Sequence, residues 1–197
     1  MSSQLVMAFL LFSCSISIAP GAGNIALLGL SSRYGFRSTL PFIAGSSFGV
    51  TVIMAGSLLG LSNILLMYPS VYLTLKFAGI SYLFYLAWGL ISSNGKASPK
   101  KDHQGFLSGV FIQLLNPKVW VGVLTVLTQF LPHERASTME VTFVFTSFII
   151  IGAVGMCIWA YFGGTLNYVI KSDKYLRWIN RSLGCILAAV ATFMLIQ

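Results

Sequence analysis

Ala19-Pro20-Gly21-Ala22-Gly23-Asn24 interrupts the first long apolar segment of this chain, and Leu115-Asn116-Pro117-Lys118 interrupts the fourth. Proline lacks the N–H that a helix interior needs, and glycine pays the largest entropy cost for being ordered in one, so each stretch breaks an α-helix. Hydrocarbon offers no water to the backbone groups that a break releases. Such breaks therefore persist in a membrane only where they line a cavity or are buried in protein. Two matched breaks about half a chain apart predict a binding site near the bilayer midplane, in a transporter built from two repeated halves with discontinuous helices.

Composition sets the solvent. The chain is 56% hydrophobic and 8% charged, with a mean hydropathy of +0.85, whereas a soluble domain carries roughly 25% charged residues. It reads as an all-α integral membrane protein. The formal charge of +8 forms no stripe and does not interleave with aromatics, which argues against nucleic acid as a partner. The basic residues fall between apolar runs, where they orient the protein and touch membrane lipid.

Six apolar stretches, 5–30, 40–61, 71–91, 106–131, 141–166 and 178–196, each approach the ~20 residues of a spanning helix. The short connectors leave no room for an extramembrane domain, so residues 1–197 read as a single transmembrane domain. Arg33 and Arg37, then Lys96, Lys100 and Lys101, then Lys171, Lys174 and Arg177 occupy the first, third and fifth loops, while the second and fourth together hold only Arg135. The positive-inside rule places those basic loops in the cytoplasm and both termini outside. A five-helix protein with a cleaved leader would need a basic n-region that Met1-Ser2-Ser3-Gln4 lacks.

The two halves also match internally. The third segment carries Lys76-Phe77-Ala78-Gly79 and the sixth carries Arg181-Ser182-Leu183-Gly184. Each half thus has a broken first helix and a third helix with a basic residue three before a glycine. Three crossings are an odd number, so the second half enters from the opposite side. The expected architecture is six transmembrane helices as two inverted three-helix repeats, 1–97 and 98–197. Gly45, Gly49, Gly56 and Gly60 recur at the spacing that lets membrane helices approach closely. Val123 reads as lipid-facing, Trp88 as part of an aromatic belt, and Lys76 and Arg181 as side chains that snorkel to the interfaces.

The stretch 19–24, with Arg33-Tyr34-Gly35-Phe36-Arg37 and Ala44-Gly45-Ser46-Ser47-Phe48-Gly49, resembles the opening of the LysE/RhtB superfamily of amino-acid exporters. The segment 76–89 and Leu115-Asn116-Pro117-Lys118 resemble that family's third and fourth helices, so the likeness spans the whole chain in length and order. The cysteine and O-acetylserine exporter branch is the most similar. Ala22 stands where the family's P-G-P motif has its second proline, which loosens the expected break. The resemblance implies proton-coupled efflux of amino acids across a bacterial plasma (inner) membrane.

The residues themselves point to a zwitterionic ligand. Asn116 is a strong N-cap type and Pro117 suits the first helical position, so a half-helix is expected to begin there. Its free N–H groups and positive dipole end favour a carboxylate. Pro20 and Gly21 release carbonyls that suit an ammonium, and Asn24, Gln113 and Lys118 stand within a turn of the breaks. Pro20, Gly21, Asn24, Gln113, Asn116, Pro117 and Lys118 are the candidate substrate-binding residues. Against this stand plainer readings: Pro20 as a packed kink, Asn116 as glue between helices, Lys118 as a partner of lipid phosphate or of a carbonyl.

All four acids, Asp102, Glu134, Glu140 and Asp173, fall in loops, so no carboxylate awaits a cationic side chain inside the membrane. Small neutral amino acids fit better than lysine or arginine. Cys14, Cys157 and Cys185 read as small hydrophobes without C-x-x-C spacing, and His103 and His133 have no second ligand at helical spacing. No metal, cofactor or catalytic residue is expected, and assembly into a homo-oligomer stays open. Two other functions compete. A non-transporting scaffold or subunit explains the hydropathy but not the paired breaks, and a thiol–disulfide electron conductor would need a cysteine in the fourth segment, which has none.

Overall fold

The computed structural model describes residues 1–60, 69–92, 105–131, 136–170 and 172–196, and every regular element among them is helical. The first apolar segment forms two helices, α1 (Ser3–Ile18) and α2 (Ala22–Tyr34), bent by 52°. A 3-10 turn at Arg37–Thr39 leads into α3 (Leu40–Leu58), and α4 covers Pro69–Ile91. The order then repeats: α5 (Phe106–Leu114) and α6 (Pro117–Phe130) are bent by 67°, and α7 (Thr138–Val169) and α8 (Asp173–Ile196) follow.

Local chemistry explains the helix ends. Ser2 caps α1 by accepting from the Leu5 N–H at 3.2 Å. Ser137 and Glu140 form a reciprocal capping box at the start of α7, satisfying two N–H groups that the helix leaves free. Asn116 caps α6, its Oδ1 accepting from the Lys118 N–H at 3.1 Å, with Pro117 next to it at the helix start. Gly60, at φ 92°, lies just beyond the last turn of α3 and an added Cβ there would touch nothing. Its left-handed backbone follows the end of the helix, and it makes no close helix contact, contrary to the spacing argument.

The surface is inverted relative to a soluble protein. Leu11, Phe48, Tyr85, Trp88, Val121, Ile150 and Tyr161 are each more than half exposed, while Ser13, Ser32, Ser46, Gln113 and Asn180 are buried. Water would penalise so extensive an apolar exterior, and hydrocarbon does not. Phe36–Leu58 and Thr138–Leu166 are each long and apolar enough to cross a bilayer, and the two bent pairs add two crossings if each is one span. That is up to four of the six crossings expected. In α4 the apolar stretch Ile80–Ile91 is short, and α8 opens on Asp173, Lys174, Arg177 and Arg181.

Two apolar clusters divide the bundle. One gathers Ile25, Leu27 and Leu30 of α2 with Leu83, Leu86 and Leu90 of α4 and Leu187 of α8. The other gathers Phe9 of α1 with Val123, Val126 and Leu127 of α6 and Val144 of α7. Each broken pair thus leaves its two halves in different environments, with the break between the clusters. Val123, expected to face lipid, is wholly buried in the second cluster; apolarity cannot tell core from lipid, because both are hydrocarbon.

Helices cross at glycines. A Cβ on Gly45 of α3 would sit 1.8 Å from the Phe106 carbonyl oxygen, and one on Gly109 of α5 would sit 2.0 Å from that of Phe42. Ser46 adds a hydrogen bond to the Gly109 carbonyl at 3.3 Å. Gly163 of α7 meets α2 in the same way, where an added Cβ would sit 2.3 Å from the Leu28 carbonyl oxygen, and Gly184 of α8 meets α4, where one would sit 2.8 Å from that of Ala87. The expected contacts at Gly45 and Gly49 are present. Lys96, Lys100, Lys101, Asp102, His103, His133, Glu134, Arg135 and Lys171 lie outside the described residues, as does the side chain of Lys76.

Candidate functional site

The first break begins where α1 stops at Ala19, whose ψ of 136° is extended, and Pro20 cannot extend the hydrogen-bond ladder. Three of the carbonyls released there, those of Ser17, Ile18 and Ala19, are nonetheless engaged. Asn24 Nδ2 donates to Ser17 O at 2.9 Å and to Ala19 O at 3.0 Å. Lys118 Nζ, from the second break, donates to Ala19 O at 2.6 Å, and Trp159 Nε1, from α7, donates to Ile18 O at 3.1 Å. The negative end of the α1 dipole is thus met by an ammonium.

The second break is closed by its own neighbours. Asn116 N donates to Gln113 O at 3.1 Å, replacing the donor that Pro117 lacks, and Trp120 Nε1 donates to Leu114 O at 2.8 Å. Proximity between the breaks depends on glycine. An added Cβ on Gly21 would lie 2.9 Å from Lys118 Cδ, and one on Gly23 would lie 3.4 Å from Gln113 Nε2. The lysine stem therefore runs across the bare backbone of the opposite break.

Between the breaks lies one cavity of about 80 Å³. At about 10–15 Å³ for each water on that measure, it has room for a few waters or one small molecule. Gly21, Asn24, Gln113, Asn116 and Lys118 line it. Pro20 and Pro117 are exposed and do not line it; they make the breaks and leave the wall to their neighbours. Five of the seven residues singled out in the sequence thus meet in one place.

Two groups in the wall have spare capacity. Gln113 is 5% exposed; its Nε2 rests 3.5 Å from Met156 Sδ, and its Oε1 has no hydrogen-bond partner. A buried acceptor left unpaired costs about 1–3 kcal/mol, so the cavity offers a place for a donor. Lys118 spends one of its three N–H donors on Ala19. The remaining wall was not legible in the sequence: Ser13 and Ile16 of α1, Ser47 and Val50 of α3, and Phe148, Gly152 and Met156 of α7. Apart from the α7 glycine, these are ordinary small or apolar membrane residues, and no local pattern marks them.

Cys14 and Cys185 are exposed on the outer surface, and Cys157 is partly buried. None lines the cavity. Of the acids, Glu140 and Asp173 stand in the first turns of α7 and α8, and neither borders the cavity.

The chain is 25% identical over 195 residues to the homoserine/homoserine lactone efflux protein of Salmonella typhimurium, covering 95% of this chain and 94% of that one. It is 27% identical over 203 residues to the cysteine/O-acetylserine efflux protein of Salmonella paratyphi A, covering 100% and 98%. The protein of that name from Klebsiella pneumoniae is 26% identical over 199 residues, covering both chains in full. No solved structure matches. The LysE type translocator family matches over residues 14–197, nearly the whole chain and both breaks, and the protein belongs to that family of membrane transporters.

Proposed function

We propose that this protein exports small neutral amino acids from the cytoplasm, binding them in the cavity between the two breaks. The observation that carries the reading is the meeting, in one small cavity, of an ammonium from Lys118, a capped helix start at Asn116 and an unpaired acceptor on Gln113. A carboxylate suits the first two and an ammonium suits the third, so an α-amino acid would be held at both of its charges. Among the described residues no carboxylate borders the cavity, which disfavours a cationic side chain. The relatives named for homoserine, homoserine lactone, cysteine and O-acetylserine efflux carry substrates of this size and polarity. Export against a gradient needs coupling, and the family likeness supports protons as the coupling ion.

The inverted six-helix repeat belongs to the same proposal. The order broken pair, long helix, further helix occurs twice, and each broken pair packs against the long helix of the other half. The amino group of Met1 pairs with the Glu140 carboxylate, which supports a topology with residue 1 and the start of α7 on the same side of the membrane. Cysteine introduced at Ser137 should then label only from outside, and cysteine introduced at Lys100 only from the cytoplasm. Reversed labelling at both would invert the orientation.

Efflux from loaded vesicles tests the function. Labelled homoserine or cysteine should leave faster with the protein than without it, and lysine should leave no faster. Selective lysine efflux would refute the reading of the cavity.

A further inference from the structure

The walls of the cavity are not equivalent, and α7 supplies the part whose chemistry is plainest. Phe148, Gly152 and Met156 all line it. They are spaced four apart and so lie on one helix face. Phe148 and Met156 are 9% and 5% exposed, so this face is turned inward, and at Gly152 the wall has no side chain. A Cβ added at Gly152 would meet nothing within 4 Å.

The other glycines of the cavity differ. A Cβ at Gly21 would come within 2.9 Å of Lys118 Cδ, at Gly23 within 3.4 Å of Gln113 Nε2, and at Gly122 within 2.7 Å of Ile16 Cδ1. There the protein's own side chains fill the room that glycine leaves. At Gly152 nothing fills it. The recess is flanked by Phe148, Ile149 and Met156, with no charged group on that helix face, and so differs from the polar wall of Asn116, Lys118 and Gln113.

We infer that the α7 face at Phe148, Gly152 and Met156 receives the substrate's side chain, and that the missing side chain of Gly152 sets the largest one admitted. The inference rests on the cavity being the substrate site. With the amino and carboxyl groups held at the polar wall, the rest of an amino acid has the α7 recess as its apolar counterpart. Such a wall discriminates by volume, and one methylene in an apolar pocket changes selectivity by about 10- to 200-fold.

Gly152→Ala should insert normally, because nothing stands within 4 Å of the new carbon, and Gly152→Val extends from that same open position. Each is purified, placed in vesicles and compared with wild type on labelled neutral amino acids graded from alanine to leucine, with Lys118→Met measured beside them. Among those that the wild type exports, the ratio of largest to smallest should fall about 10- to 200-fold in the alanine variant and by more in the valine variant. An unchanged ratio in both, with Lys118→Met inactive, overturns the side-chain subsite and leaves the cavity as the site. Wild-type export of every substrate by Gly152→Val and Lys118→Met alike removes the cavity itself as the site. An even loss of all substrates in both Gly152 variants, at equal protein abundance, also overturns the inference.

Discussion

Lys118→Met should lower substrate affinity by about 10- to 150-fold, since a hydrogen bond to a charged group is worth roughly 1.5–3 kcal/mol and each 1.4 kcal/mol is about tenfold. Methionine keeps an unbranched apolar stem, one atom shorter than lysine's, so the packing across Gly21 survives while the ammonium is lost. Lys118 is only partly buried, so the loss should stay below the roughly 3–5 kcal/mol seen when a fully buried ion loses its partner. Lys118→Arg retains the charge and should recover part of the binding. Val121→Leu, on an outward position that is 62% exposed, should change nothing. The measurement is substrate affinity on equally abundant, inserted protein. Unchanged affinity in Lys118→Met would confine this lysine to capping the Ala19 carbonyl.

Gly45→Ala should be among the most destabilising single methyl groups that the chain can receive. The new carbon would fall 1.8 Å from the Phe106 carbonyl oxygen and 2.9 Å from its Cα, and backbone cannot move aside by changing rotamer. The α3–α5 crossing must open, which should cost at least the upper part of the roughly 1–3 kcal/mol typical of overpacking. Gly89→Ala is the matched control, since a Cβ there meets nothing within 4 Å and alanine is favoured over glycine inside a helix by roughly 0.5–1 kcal/mol. Thermal unfolding in detergent should place Gly45→Ala well below wild type and Gly89→Ala at or above it. Equal stability of the two would mean that α3 and α5 are not in backbone contact.

These expectations show which parts of the molecule could be read without coordinates. Pro20, Gly21, Asn116 and Pro117 announce both breaks because their backbone chemistry is local: a missing N–H, a missing Cβ, a side chain that caps. Asn24, Gln113 and Lys118 were legible as polar groups in apolar runs, which membranes tolerate only with partners. The partners were not. Nothing near Ile18 says that Trp159 will cover its carbonyl, and nothing near Gln113 says that Met156 will lie against it. Val123 and Gly60 failed for related reasons. The rotation of α6 decides whether Val123 meets protein or lipid, and Gly60 lies beyond the helix end, at positive φ, despite its even spacing from Gly56. Gly152 looked like any other membrane glycine until the empty space beside it was seen.

The first break draws its donors from parts of the chain that are made at very different times. Asn24 reaches the carbonyls of Ser17 and Ala19 from close by, but Ala19 also waits for Lys118, 99 residues later, and Ile18 waits for Trp159, 141 residues later. Contacts of such long sequence separation form slowly, and an unmet carbonyl in hydrocarbon costs several kcal/mol. The Ile18 carbonyl therefore stays without its donor until residue 159 has been synthesised and α7 has docked. The 52° bend, synthesised well before either of these donors, is among the last features of the fold to be completed.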